Sequence, residues 1–138
     1  GANSIAEGLA VKDGLIIAIG SRVYPSLEAA QEIEKETGKS VAVFNTRFIK
    51  PLPAEQMLEL AGSHSKIVIA EENALAGGFS SAVLELLIDE GVLEGGGKSI
   101  KRVGLPDHFV EHGAQRQLRQ RLGLDKTGIK SAMQELLK

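Results

Sequence analysis

With 138 residues, a formal net charge of −2 and no cysteine, the chain has no net field to draw nucleic acid or an anionic membrane. It also has no thiols for a disulfide scaffold, a thiolate metal site or a cysteine nucleophile. Hydrophobic residues make up 43% and charged residues 25%, an ordinary balance for one globular domain with a buried core. An aromatic content of 4% with no Trp excludes a stacking platform for single strands, and no apolar run approaches the ~20 residues of a membrane helix.

In chain order, residues 6–11 read as an edge strand. They are separated by a tight turn at Lys12 and Asp13 from the apolar run GLIIAI at residues 14–19, which predicts an antiparallel hairpin. The run itself is continuous, as in a strand covered on both faces. Residues 24–37 have helical period, with Leu27, Ala30 and Ile33 opposite Glu28, Glu32 and Lys35, and Gly38 is the expected stop. Residues 40–44 form the next strand. Pro51 and Pro53 interrupt the pattern, and a short helix over 54–62 carries Met57, Leu58 and Ala61 on one face.

KIVIA at 66–70 reads as a third core strand. Gly77 and Gly78 then open the strongest helix, whose stripe is Phe79, Ala82, Val83, Leu86 and Leu87. Leu84 and Ile88 add a second apolar pair on that helix, the mark of an interface, and Gly91 ends it. After the flexible Gly95, Gly96 and Gly97 come a short strand at 99–103, a short helix or turn over 113–124 and a final amphipathic helix over 127–137. Alternating strands and helices predict an α/β fold, a three-layer α/β/α sandwich. Its sheet has five strands and is mostly parallel, with one antiparallel edge strand. Residues 1–138 are expected to be a single domain, a fragment of a larger enzyme.

Polar residues gather where the second and third core strands end: Asn45, Arg47 and Lys50 after one, Glu71, Glu72 and Asn73 after the other. In an open parallel sheet such ends meet ligands and partner domains. Together with Gly77, Gly78 and Ser81 they define a candidate interface or regulatory crevice. Arg47 and Lys50 suit a phosphate or carboxylate, although an ion pair with Glu71 or Glu72 is the commoner use of such charges. Glu71 and Glu72 are adjacent on an extended chain and point apart, so they do not make an acid–base pair. One of them is expected to cap the glycine-led helix. His108 and His112 are four apart beside Pro106 and Gly113, a loop context rather than a metal site. Arg116, Arg119 and Arg121 read as a solvated face. No catalytic, cofactor-binding or metal-binding residue is assigned.

RFIKPLP, EENALAGGFSSAV, GLPDHFVEHG and GLDKTGI resemble the C-terminal domain of the transketolase-like, thiamine diphosphate-dependent enzymes. Residues 104–113 point within them to the 1-deoxy-D-xylulose-5-phosphate synthase family. The resemblance spans roughly residues 6–137 and implies a five-stranded mixed sheet between helix layers. It further implies a cytoplasmic parent transferase that joins pyruvate to glyceraldehyde 3-phosphate in isoprenoid precursor biosynthesis. In that family thiamine diphosphate and Mg²⁺ sit on other domains and across a homodimer, and this domain supports the dimer or binds a regulator. By itself it is expected to be inactive, to hold no cofactor, and to bind neither nucleic acid nor membrane. Arg47, Lys50 and Pro51 match the family's strand-end loop, and Glu71, Glu72, Gly77 and Gly78 its helix entry. Asn45 and Pro53 depart from it, since Asp is common at both positions. A module of a transketolase or of a 2-oxo acid dehydrogenase beta subunit, or a free-standing small-molecule sensor, are the alternatives.

Overall fold

The computed structural model describes residues 11–19, 22–46, 54–72, 78–105 and 115–138, and for Glu72, Leu105 and residues 115–124 the backbone alone. Four strands alternate with four helices: β1 (Gly14–Ile19), α1 (Val23–Thr37), β2 (Val41–Thr46), α2 (Ala54–Ser63), β3 (Lys66–Glu72), α3 (Phe79–Asp89), β4 (Ser99–Leu105) and α4 (Gln115–Leu136). The sheet order is β2-β1-β3-β4, and every pairing is parallel. The register runs Ala18↔Asn45 between β1 and β2, Ala18↔Ala70 between β1 and β3, and Glu71↔Gly104 between β3 and β4.

Why β1 is central is written in its residues. Leu15, Ile16, Ile17 and Ala18 are each 0% exposed, so neither face tolerates a polar side chain. Leu15, Ile17 and Ile19 pack with Ala42, Phe44, Ile67 and Ile69 against Met57, Leu60 and Ala61 of α2 and Phe79, Val83 and Leu87 of α3. Ile16 and Ala18 pack with Val68 and Ala70 on the other face, against Ala29 and Ile33 of α1 and Ile129, Met133 and Leu137 at α4. These are the three layers expected. At the start of β1 the approach to α4 is close: a Cβ on Gly14 would stand 2.6 Å from Met133 Sδ.

α1 ends as expected at Gly38, whose φ of 77° suits glycine and whose N–H donates to Glu34 O at 2.8 Å. Pro25 falls in the first turn of α1, where backbone N–H groups have no intrahelical acceptor to lose.

The structure differs from the sequence reading in two respects. β2, β3 and β4 each continue two residues further than the apolar runs, so Asn45, Glu71 and Glu72 lie within strands, near their ends, rather than in loops. Residues 115–136 form one helix, not two segments, despite Gly123 and Gly128 inside it. Each such glycine weakens a helix by about 1 kcal/mol, and burial of Ile129 and Met133 at 0% exposure outweighs that. The four described strands are all parallel. The antiparallel fifth was expected over residues 6–11, of which 6–10 lie outside the described residues, and Val11 belongs to no strand.

α1 and α4 lie side by side on one face and are joined at two levels. At the surface, Lys126 and Lys130 both bind Glu32, at 2.6 and 3.0 Å, and Lys130 also binds Glu36. Beneath, Arg22 Nη1 meets Asp125 Oδ2 at 3.0 Å, with both residues 3% exposed. Removing one partner of a buried pair strands a charge and typically costs about 3–5 kcal/mol, whereas an apolar replacement of both is often neutral. Urea melts should therefore show Arg22→Met and Asp125→Leu each strongly destabilised and the double variant close to wild type; additive losses would contradict the pairing.

The surface network sets an acid-side dependence. Hydrogen bonds from Lys126 and then Lys130 hold the Glu32 carboxyl below its ordinary value. A depressed carboxyl contributes stability above its unfolded pKa of about 4.3 and loses it as pH falls through the folded value. The Glu32→Gln variant should accordingly be less stable than wild type at pH 7, and the gap should close on acidification below about pH 4. A gap independent of pH in parallel urea melts would show that Glu32 acts through packing instead.

Candidate functional site

Parallel strands send all their carboxyl ends to one edge. There β1 exits to α1 on one face and β3 exits to α3 on the other, a change of direction that marks the crevice of such sheets. Most of the buried polar residues of the described chain collect toward this edge: Arg22 after β1, Thr46 at the end of β2, Glu71 near the end of β3, Ser80 in the first turn of α3, and Asp125 against Arg22.

Glu71 is the best-defined member. Strand alternation turns it to the same face as Ile67 and Ile69, toward α3. Its Oε2 accepts the Ser80 backbone N–H at 2.9 Å and its Oε1 accepts the Ser80 hydroxyl at 2.8 Å. Gly78, the residue before α3, has no side chain to cap it, so a carboxylate from β3 satisfies the free amide and meets the positive end of the helix dipole. The capping role expected of one glutamate therefore belongs to Glu71. Arg102, on β4, extends the chain by donating from Nη1 to Ser80 Oγ at 3.4 Å.

The other expected members are distributed unevenly. Asn45 is exposed on the face of β2 opposite to Thr46. Glu72 is the last residue of β3, and its side chain lies outside the described residues. Gly78 precedes α3, and Ser81 is half-buried next to Ser80, which takes the contacts. Arg47, Lys50, Asn73 and Gly77 lie outside the described residues, as do His108, His112, Pro51 and Pro53. Ile88 on α3 is 61% exposed while Leu84 packs partly against the core, so the second apolar pair is open only at Ile88.

Sequence reasoning missed Arg22, Asp125, Ser80 and Thr46. Arg22 and Asp125 are 103 positions apart, and no local pattern pairs them. Ser80 had a usable signal, since it is the second residue of a helix whose preceding residue is glycine. Thr46 Oγ1 is buried with no hydrogen-bond partner among the described residues.

Several carboxylates are committed within the domain: Glu71 to Ser80, Asp125 to Arg22, Glu32 and Glu36 to lysines, Glu135 to Lys101, and Asp13 to Ser40. Among the described residues no three His, Cys, Asp or Glu converge as metal ligands. No helix is long and apolar enough to cross a membrane among the described residues.

A family profile described as "Transketolase, C-terminal domain" matches residues 9–129. The chain belongs to this family. The 1-deoxy-D-xylulose-5-phosphate synthase of Nitratidesulfovibrio vulgaris (strain Hildenborough) is 51% identical over 135 residues, 96% of this chain and 21% of that protein. That of Oleidesulfovibrio alaskensis is 53% identical over 125 residues, 91% of this chain and 19% of that protein. The chain thus spans about a fifth of the curated relatives it matches. A solved structure, "Split gene transketolase, inactive beta4 tetramer", superposes with a TM-score of 0.68 at 33% identity, covering 91% of this chain and 39% of that one.

The Glu71 cap carries a direct expectation. Glu71→Ala leaves the Ser80 N–H buried without an acceptor, which should lower stability by about 2 kcal/mol. Glu71→Gln keeps one acceptor and should lose less than half of that. Equal losses for the two variants in urea melts would remove the carbonyl oxygen from the explanation.

Proposed function

We propose that this chain is the C-terminal structural domain of a thiamine diphosphate-dependent 1-deoxy-D-xylulose-5-phosphate synthase. The parent joins pyruvate to glyceraldehyde 3-phosphate in isoprenoid precursor biosynthesis, works in the cytoplasm as a homodimer, and holds thiamine diphosphate and Mg²⁺ on its other domains. The domain's part is to support that dimer, with the carboxyl edge as the surface presented to neighbours or to a regulator. The observation that carries this reading is identity of about half the residues to synthases over 96% of the chain. The internal commitment of the edge carboxylates supports a structural rather than a catalytic part.

A transketolase module is the second reading, favoured by the solved neighbour at 33% identity. It is weaker than the first because identity to the synthases is higher.

Replacing the matching fifth of the Nitratidesulfovibrio vulgaris synthase with this chain tests the proposal. The chimera should be dimeric by light scattering and should form 1-deoxy-D-xylulose 5-phosphate from pyruvate and glyceraldehyde 3-phosphate. A folded, dimeric chimera that makes no such product but transfers a ketol unit between sugar phosphates would favour the transketolase reading. Calorimetric titration of the isolated chain with thiamine diphosphate and Mg²⁺ should give no binding heat, and tight binding would overturn the structural role.

A further inference from the structure

The amino edge of the sheet holds a buried titratable side chain that the proposed function does not use. His64, between α2 and β3, is 2% exposed. Its Nε2 accepts the Lys12 backbone N–H at 3.0 Å. A ring nitrogen that accepts carries no proton, so the neutral imidazole's hydrogen is on Nδ1. That nitrogen lies 2.7 Å from Leu60 O, to which it donates, with Ser63 Oγ at 3.2 Å as a second neighbour. Both ring nitrogens are thereby used, and the tautomer is fixed by its partners.

We propose that His64 is a protonation-controlled latch on the chain's entry to β1. The neutral ring holds the Lys12 amide, and the doubly protonated ring releases it. A second proton goes to Nε2 and sets two donors face to face. From the β4 side, Lys98 Nζ donates to His64 O at 2.8 Å and to Gly62 O at 3.2 Å, which places a cation beside the turn. From the β1 side, the Asp13 carboxylate is engaged elsewhere, accepting the Ser40 N–H at 2.7 Å. From β3, Lys66 adds a further positive charge two residues on. No carboxylate is paired with His64 among the described residues.

The release is local. Asp13 and Gly14 donate their N–H groups to Ser40 O at 2.8 and 3.2 Å, bonds that do not involve His64. The opening therefore stops at Lys12, and β1 stays in the sheet.

Nitrogen-15 shifts of the His64 ring, with amide exchange on the whole 138-residue chain, test this. At neutral pH the ring should report the Nδ1–H tautomer. As it titrates, the protection factor of the Lys12 amide should fall about tenfold with the same midpoint, a drop matching one lost hydrogen bond, while that of Asp13 holds. In His64→Gln, Lys12 protection should not change over that range. An Nε2–H tautomer, a Lys12 protection factor flat through the ring's titration, or a ring that stays neutral until the whole domain unfolds would each overturn the latch. If His64→Gln does not fold, the wild-type measurements decide alone.

Discussion

Burial of β1 on both faces and along both edges is the constraint on which the rest of the structure depends. Leu15 through Ala18 are inaccessible to solvent, with β2 on one side, β3 on the other and a helix layer above and below. Parallel partners require crossovers, and crossovers place helices on the faces. With α1 and α4 on one face and α2 and α3 on the other, no strand face is left for polar side chains near the centre. The buried polar side chains of the strands among the described residues, Thr46 and Glu71, lie toward the carboxyl ends. Burial favours a partner for each, because an unpaired buried polar group costs about as much as a large share of one domain's stability.

The two ends meet this demand with different chemistry. At the carboxyl edge the solution is ionic: Glu71 over the start of α3, and Arg22 on Asp125 between α1 and α4. The carboxylate gains from the helix dipole and from two Ser80 donors, so its charge is an asset there. The Arg22–Asp125 pair has a weaker claim to net stabilisation, since desolvating two charges offsets most of their attraction. The same rotation of α4 that brings Asp125 to Arg22 buries Ile129 and Met133. At the amino edge the solution is neutral, a ring that donates through one nitrogen and accepts through the other.

The layers, the helix stops and the sites of the polar clusters were legible in the sequence because they depend on local signals. GLIIAI announces a strand buried twice, Gly38 a left-handed stop, and Glu71 followed by glycines a capped helix. Strand ends were less legible, because Asn45, Glu71 and Glu72 are polar and yet keep the ladder through backbone bonds that no side chain reports. The continuity of α4 was hidden for the opposite reason: Gly123 and Gly128 signal a break, and only packing against the sheet overrides it. The Arg22–Asp125 pair lay beyond reach altogether, since contact between distant positions is a property of the assembled fold.

The saturation of the carboxyl edge bears on how such a domain serves a larger protein. Enzyme sites keep polar groups short of partners until substrate arrives, and hold them with surrounding packing. Here Glu71 has two donors, Ser80 receives Arg102 as well, and Asp125 is closed by Arg22. Such an arrangement resists rearrangement, because moving any member exposes another to an unpaired, buried state. Under the proposed function, this internal pairing fits a domain whose part in the parent is structural. Thr46 is the exception within that edge, a buried hydroxyl with spare bonding capacity among the described residues. It stands at the end of β2, 0% exposed, on the face of that strand that Ala42 and Phe44 also occupy.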